Sequence, residues 1–332
     1  MEEKKTVQLK PWHGILGFVI IMVIFTLVAY PIQSKLGLIG VGITELILLA
    51  LAIGAALLTK QNLKEVFPIH LPQGRQVLGT LIMWVGNYLL VMVVSSLLLV
   101  VAPEQMTATS EGLNSVISSK GLLLGILIVS LSPAICEEAV HRGFILHTFK
   151  NVKHEWITVL VMGIIFGVFH LDPVRFLPTA VLGAALSFIM VKTGNMVLPA
   201  LFHAVNNLVP LLLSFGLNAF AKLAEELVKE SGMAGDAMSE ALEQAANITT
   251  EQAVVSLGSC LFTAAIAPFI MVAGARLLMK KEDAANKPLN KKAFAIALII
   301  GAVMAVAGIA LMAMNYEYIL EMSGVSLEDL GL

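Results

Sequence analysis

Residues 132–146 have the sequence SPAICEEAVHRGFIL, an apolar segment that nevertheless carries Glu137, Glu138 and Arg142. The surrounding apolar run extends from residue 121 to residue 149, which is longer than the roughly 20 residues that a helix needs to cross a bilayer. Charged side chains inside a span cost about 2.5–3.5 kcal/mol each on insertion scales, so they persist when they pair, face water or perform a function. This segment therefore predicts a transmembrane helix that contains a polar site.

The rest of the chain has the composition of a multi-pass membrane protein. Of its 332 residues, 58% are hydrophobic and 13% are charged, and its mean hydropathy is +0.88, whereas soluble domains have about 25% charged residues. We predict an all-α polytopic helical bundle, integral to the cell membrane and surrounded by the lipid bilayer. No basic stripe indicates a nucleic-acid partner, and two cysteines are too few for a disulfide framework.

Hydropathy predicts about eight or nine transmembrane helices. The apolar segments are residues 13–31, 37–59, 77–102, 121–149, 155–171, 176–191, 196–217, 254–279 and 293–314. If all nine cross the membrane and the N-terminus is cytoplasmic, fifteen of the 21 basic residues fall in cytoplasmic loops, five fall on the other side, and Arg142 is intramembrane. This distribution follows the positive-inside rule and favours nine spans with a cytoplasmic N-terminus.

The same pattern divides the chain into four parts. Residues 1–120 form N-terminal transmembrane helices, residues 121–217 form a polar-site core, and residues 254–332 form C-terminal transmembrane helices. Between them, residues 218–253 are rich in acidic side chains and have apolar residues near helical spacing, which predicts an acidic extramembrane helical segment.

The two glutamates of the opening segment have different expected partners. Glu138 and Arg142 are four residues apart and share a helix face, so the arginine can neutralise that carboxylate. Glu137 points about a quarter-turn away and lacks this partner. A buried carboxylate without a counter-charge suits a general base or acid, although both glutamates could instead stabilise helix packing.

Two further polar clusters follow in the next apolar segments. His170 ends an apolar helix four residues after Phe166, and His203 and Asn207 share a face of a later helix beside Asn206. A helix runs about 20 Å from Glu137 to the basic turn near Lys150, and the next runs back about 24 Å from His154 to His170. Both residues would therefore lie at a similar depth in the membrane. Either cluster could also be ordinary hydrogen-bonded packing.

His203 and Glu45 fit this geometry less well. His203 lies only about 12 Å along a straight helix from its cytoplasmic end, so the turn around Gly194 has to dip into the bundle. Glu45, in the second apolar segment, has no visible partner, and we expect it to have a structural or helix-end role.

A buried carboxylate, two histidines and an asparagine suit the hydrolysis of an amide bond. Glu137 and His170 would activate water, and His203 and Asn207 would stabilise the oxyanion. Zinc is the alternative, with Glu137, His170 and His203 as ligands. Asn207 is a poor zinc ligand and a good oxyanion donor, which favours a mechanism that requires no cofactor.

Three motifs resemble those of a known family. They are E-E-x-x-x-R at Glu137, Glu138 and Arg142, F-x-x-x-H at Phe166 and His170, and H-x-x-x-N at His203 and Asn207. In this order they resemble the signature of the CAAX protease and bacteriocin-processing family, also called CPBP or Abi, which includes the Ras-converting CAAX endopeptidases. The resemblance covers residues 121–215.

The resemblance implies an intramembrane protease. Glu137 and His170 would activate water, while His203 and Asn207 would hold the oxyanion. The family is commonly labelled a metalloprotease group, but its eukaryotic members resemble a metal-independent glutamate protease, so zinc stays a possible cofactor.

The remaining motif residues would support the site. Glu138 and Arg142 would support the catalytic groups, and Phe166 would pack beneath them; Asn206, beside the third motif, is counted with these residues.

We therefore predict an intramembrane endopeptidase that acts on a membrane-associated peptide or protein. No sequence feature indicates prenyl recognition, so the cleavage of prenylated CAAX proteins is not predicted. Two alternatives are a non-catalytic membrane immunity or scaffold protein and a proton-coupled transporter, in which buried Glu, His and Arg would relay protons.

Overall fold

The described part of the chain is helical, as predicted. The computed structural model describes residues 8–118, 121–231, 248–279 and 290–323, and within these ranges there are helices and no strand. In chain order the helices are α1 (Pro11–Leu36), α2 (Leu38–Leu58), α3 (Leu63–Val66), α4 (Gly74–Val101), α5 (Pro103–Ser118), α6 (Leu122–Ile145), α7 (Glu155–Phe169), α8 (Pro173–Thr193), α9 (Val197–Ser231), α10 (Thr250–Ala264), α11 (Ala267–Leu278), α12 (Lys291–Met314) and α13 (Tyr316–Ser323).

All nine predicted apolar segments are helical, but they differ in length. Among the described residues, seven helices are long and apolar enough to cross a membrane, and α10 with α11, which meet at a 40° bend, would be an eighth. Helix α7 has 15 residues, or about 22 Å at 1.5 Å per residue, which is shorter than the roughly 30 Å hydrocarbon core. The polytopic bundle is confirmed, and α7 is a short apolar helix within it.

The predicted acidic segment is only partly described. Helix α9 continues past residue 217 to Ser231, so the first part of the segment extends a transmembrane helix. Residues 232–247 lie outside the described ranges.

Two buried clusters surround the centre of the bundle. The first joins the C-terminal half of α6, including Phe144, with α1, α2 and α7. The second joins Met83 of α4 and Phe166 of α7 with residues of α8 and α9, among them Leu186 and Phe202. Helix α7 contributes Phe169 to the first cluster and Phe166 to the second. The end of α7, which His170 follows, therefore lies where the two clusters meet.

The turn between α8 and α9 is buried at the edge of the bundle. Gly194 has a φ of 59° and ends α8, a left-handed conformation that glycine adopts without steric cost. The Asn195 side chain accepts a hydrogen bond from His70 N at 3.2 Å and donates one to His70 O at 2.9 Å, and Met196 N donates to Pro68 O. Asn195 and Met196 are buried and Gly194 is exposed, so the turn is attached to residues 68–70, and its dip into the bundle stays a prediction.

Candidate active site

The site is built on the middle of α6, where the helix changes its winding. Glu137 and Glu138 end a short α-helical stretch, Ser132–Glu138, which lies between two π-helical stretches, Ile126–Leu131 and Ala139–Ile145. π-Helical turns are rare and occur frequently at functional sites. The wider winding rotates the side chains that follow Glu138 relative to a regular α-helix.

Arg142 and Glu138 form the ion pair expected from their spacing. Arg142 Nη1 lies 3.0 Å from Glu138 Oε1, and both side chains are completely buried. Arg142 Nη2 also donates to Gly183 O on α8 at 3.0 Å, and the guanidinium lies 4.5 Å from the centre of the Phe166 ring. The arginine therefore neutralises Glu138 and connects α6 to α7 and α8.

His203 connects the two glutamates. Its Nδ1 lies 2.9 Å from Glu138 Oε1, and because a carboxylate paired with arginine can only accept, Nδ1 carries the proton. Its Nε2 lies 4.0 Å from Glu137 Oε2. The contact between Glu138 and His203 joins the first and third motifs and had no signal in the sequence.

Glu137 is buried and has an oxygen without a hydrogen-bond partner. It is only 8% exposed, and its Oε2 accepts no hydrogen bond from any described residue. Arg142 does not pair with it, as the sequence predicts, and the basic group that faces it is His203. Glu138 also has an unpartnered Oε2, but its Oε1 is bound by Arg142 and His203, so Glu137 is the member of the pair that no arginine neutralises.

His170, like His203, contacts the ring of Phe166. Its Nδ1 is 2.9 Å from Phe166 O, and because a carbonyl only accepts, Nδ1 is the protonated nitrogen and Nε2 can accept. The Phe166 ring contacts the edges of His170 and His203, with centroid distances of 5.1 and 5.7 Å. Within the described residues His170 and Glu137 share no hydrogen bond, so any joint action on substrate passes through a molecule between them.

Asn207 contributes to the packing of α9 against α6. Its Nδ2 donates to Val129 O at 3.1 Å, and Asn206 Nδ2 donates to Asn207 Oδ1 at 3.4 Å. The Val129 carbonyl is free because Pro133, four residues later, has no N–H to donate to it. One N–H of the Asn207 amide thus forms a hydrogen bond between α9 and α6, as the packing alternative predicts. The amide has a second N–H, which could donate to an oxyanion.

Two buried polar residues near the site were not predicted to belong to it. His141 is fully buried, its Nδ1 lies 2.8 Å from Glu137 O, and its ring contacts the Phe166 ring at 5.0 Å between centroids. Glu45 is buried within α2, the helix that packs against Ser132–Glu138 of α6. Glu45 lies two turns inside the helix, so of the two expected roles the helix-end one is wrong and the structural one stays a prediction.

No cluster of zinc ligands is preformed among the described residues, and the need for a metal stays a prediction. Among the described residues, no three histidine, cysteine, aspartate or glutamate side chains converge as ligands of one metal ion. His203 uses its Nδ1 for Glu138, and its Nε2 lies 4.0 Å from Glu137 Oε2, whereas two ligands of a tetrahedral zinc ion with bonds of about 2.0–2.2 Å lie about 3.3–3.6 Å from each other. The alternative ligand set of Glu137, His170 and His203 is thus not preformed.

Comparison with known proteins agrees with the motifs. Residues 119–209 match the family model described as Type II CAAX prenyl endopeptidase Rce1-like, and this range contains all three motifs. No curated protein and no solved structure matches the chain. The family resemblance predicted from the motifs is confirmed: residues 119–209 are similar to the Rce1-like CAAX endopeptidase family, and this similarity, within a polytopic membrane protein, supports a membrane protease.

Proposed function

We propose that the protein is an intramembrane endopeptidase in which Glu137 is the general base. The observation that carries this proposal is the position of Glu137: a buried carboxylate with an unpartnered oxygen, 4.0 Å from His203, inside a protease-family domain. The neighbouring Glu138 is neutralised by Arg142, so the two carboxylates have separate roles.

In the proposed first step, Glu137 takes a proton from water as the water oxygen attacks the carbonyl carbon of a peptide bond. The bare Nε2 of His170 accepts the second O–H of that water and orients it. In the second step Glu137 gives its proton to the amide nitrogen, the C–N bond breaks, and the products are a carboxylic acid and an amine. Glu137 returns to its starting state.

The negative charge on the tetrahedral intermediate needs donors. His203 Nε2 faces Glu137 and donates to the oxyanion when both ring nitrogens carry protons. The second N–H of Asn207 is the other donor.

No cofactor takes part in this mechanism. The substrate class is a membrane-associated peptide or protein, because the site lies inside a span and a protease acts on peptide bonds. The matched family is named after prenylated CAAX substrates; for this chain we propose the wider class, since the sequence has no feature that indicates prenyl recognition.

The test is the substitution Glu137→Gln, which keeps the shape and removes the base. Substrates are first identified as membrane and secreted peptides that change between cells with the wild-type protein and cells with the variant. With one such peptide and purified protein in detergent, Glu137→Gln is expected to lower kcat by about 10²–10⁴-fold. Glu251→Gln, the same change at an exposed position in α10, is the matched control and should keep full activity.

The same assay tests the metal-free chemistry. Cleavage is expected to continue after complete removal of metal ions, and inhibition by chelation that added zinc reverses would contradict this version. Retention of cleavage by Glu137→Gln would refute the role of Glu137.

A further inference from the structure

His141 lies inside the first motif, but the proposed mechanism does not use it. The side chain is completely buried in the second π-helical stretch of α6. Its Nδ1 lies 2.8 Å from Glu137 O, and because a carbonyl only accepts, Nδ1 carries a proton and donates. Its Nε2 has no hydrogen-bond partner among the described residues. The hydrogen bond of this buried ring therefore ends on the residue that we propose as the general base.

The carbonyl of Glu137 belongs to the peptide unit that joins the two glutamates. This unit lies where the backbone pairing of α6 changes. Ala139 N donates to Ile135 O, four residues back, whereas Leu146 N donates to His141 O, five residues back. Such a change in winding alters the direction of the side chains around it. The hydrogen bond from His141 thus holds the peptide unit on which the directions of both carboxylates depend.

The ring of His141 also packs against the two phenyl rings that contact His170. Its centroid lies 5.0 Å from that of Phe166 and 4.9 Å from that of Phe169, both edge to face. The ring of His170 lies 5.1 Å from Phe166 and 5.7 Å from Phe169. His141 therefore contacts α7 at the same two rings as His170, while its Nδ1 holds the backbone of Glu137 on α6.

We propose that His141 is a positioning residue that fixes the direction of Glu137 and its separation from His170, an inference that rests on the proposed function. One ring joins the backbone of the proposed base to the packing around the histidine that orients water. Catalysis depends on this geometry, because a displacement of about 1 Å can lower a rate about 100-fold. His141 contacts neither the water nor the peptide in the proposed steps, so it acts through the other two residues.

A role in packing alone makes a different prediction. A buried nitrogen without a hydrogen-bond partner costs free energy that an apolar side chain avoids. If His141 only filled space, leucine would replace it at least as well as asparagine. Asparagine and leucine have similar branched shapes, but only the asparagine amide can donate to the Glu137 carbonyl. If the N–H of His141 positions Glu137, asparagine should therefore be the better replacement for activity.

The experiment compares His141→Asn with His141→Leu. The values of kcat and KM are measured with purified protein in detergent, on a peptide identified through the comparison of wild-type and Glu137→Gln cells. Thermal unfolding is measured on the same samples. His154→Leu, at an exposed position before α7, is the matched control and should keep the wild-type kcat.

We expect His141→Leu to lower kcat by about 10- to 100-fold and to change KM by less than about threefold. His141→Asn should keep a kcat about fivefold or more above that of His141→Leu, the ratio that corresponds to one hydrogen bond. Its unfolding temperature should be no higher than that of His141→Leu, because the amide is buried. Activity and stability would then rank the two variants in opposite orders, which packing alone does not produce.

The hydrogen bond itself is tested without turnover. Protein with ¹⁵N in its seven histidines gives NMR spectra in which couplings to the ring protons distinguish a protonated nitrogen from a bare one. The signals that are missing in His141→Asn belong to His141. We expect a protonated Nδ1 whose proton exchanges slowly with solvent, since the ring is completely buried, and a bare Nε2.

Two results would overturn the proposal: a bare Nδ1 on His141, or a His141→Leu variant that is as active as His141→Asn. If His141→Leu does not fold, His141→Phe, which keeps an aromatic ring and lacks the donor, takes its place in the comparison. Cleavage by Glu137→Gln refutes the proposed base whatever His141 does. An inactive Glu137→Gln with a fully active His141→Leu refutes the positioning role alone.

Discussion

Glu137 and Glu138 are adjacent in the chain, but their neighbours give them different chemistry. The Oε1 of Glu138 is in contact with Arg142 at 3.0 Å and His203 at 2.9 Å, whereas the charged group nearest to Glu137 is His203 at 4.0 Å; the Oε2 atoms of both glutamates have no hydrogen-bond partner among the described residues. Burying an ion pair costs desolvation energy that good geometry repays, and removing one partner leaves the other charge buried alone. Glu138 therefore holds the site together, and Glu137 stays available for substrate.

This difference predicts that Glu138→Gln is a stability variant. Loss of the carboxylate leaves Arg142 buried without its counter-charge, so the free energy of unfolding should fall by about 3–5 kcal/mol. The control is Glu155→Gln, which removes the exposed pair between Glu155 and Lys192 and should change stability by less than about 1 kcal/mol. Both are measured by denaturant titration in detergent; equal stability of Glu138→Gln and wild type would contradict the supporting role.

The contact between α7 and α8 depends on small residues. A Cβ at Gly183 would lie 2.5 Å from Phe166 Cβ, and one at Gly163 would lie 2.8 Å from Ala180 O. Close helix approach at small residues is common in membrane proteins. Here it places the Gly183 carbonyl against Arg142 and the Phe166 ring between the two histidines, so helix packing positions the groups that the proposed mechanism uses.

Substitution of Gly183 should therefore affect both stability and activity. Gly183→Ala forces Phe166 to move and is expected to cost about 1–3 kcal/mol through overpacking, with a lower kcat because His170 and Arg142 contact Phe166. Gly54→Ala is the matched control, since a Cβ at Gly54 would have no atom within 4 Å and alanine favours helix by about 0.5–1 kcal/mol. Thermal unfolding in detergent and the cleavage assay distinguish them; tolerance of alanine at both positions would show that the contact is not tight.

At the scale of the whole molecule, the path of the chain through the membrane depends on α7. This helix is short for a span, although a bilayer can thin locally around a short hydrophobic helix at modest cost. Three helices, α7, α8 and α9, connect the loop at Lys153 to the start of α10. If all three cross, these two points lie on opposite sides; if α7 does not cross, they lie on the same side.

Cysteine labelling tests this topology. In a background with Cys136 and Cys260 replaced by alanine, Lys153→Cys and Glu251→Cys, both at exposed positions, are treated with a membrane-impermeant maleimide in intact cells and in inside-out vesicles. The positive-inside distribution predicts that Lys153→Cys reacts only from the cytoplasmic side and Glu251→Cys only from the other side. Lys10→Cys is the reference for the predicted cytoplasmic N-terminus. Labelling of positions 153 and 251 from one side would show that α7 is not a span.

Composition and local spacing determined the all-α membrane bundle, the ion pair of Glu138 with Arg142, and the three motifs, because hydropathy and contacts four residues apart are properties of neighbouring residues in the chain. Only the tertiary structure decided that His203 binds Glu138, that Arg142 reaches Gly183, and that α2, which carries Glu45, packs against Ser132–Glu138. The first two of these contacts join residues 65 and 41 positions apart, and all of them depend on helix packing, π-helical winding and the turn at Gly194. No local pattern in the sequence encodes contacts over such separations.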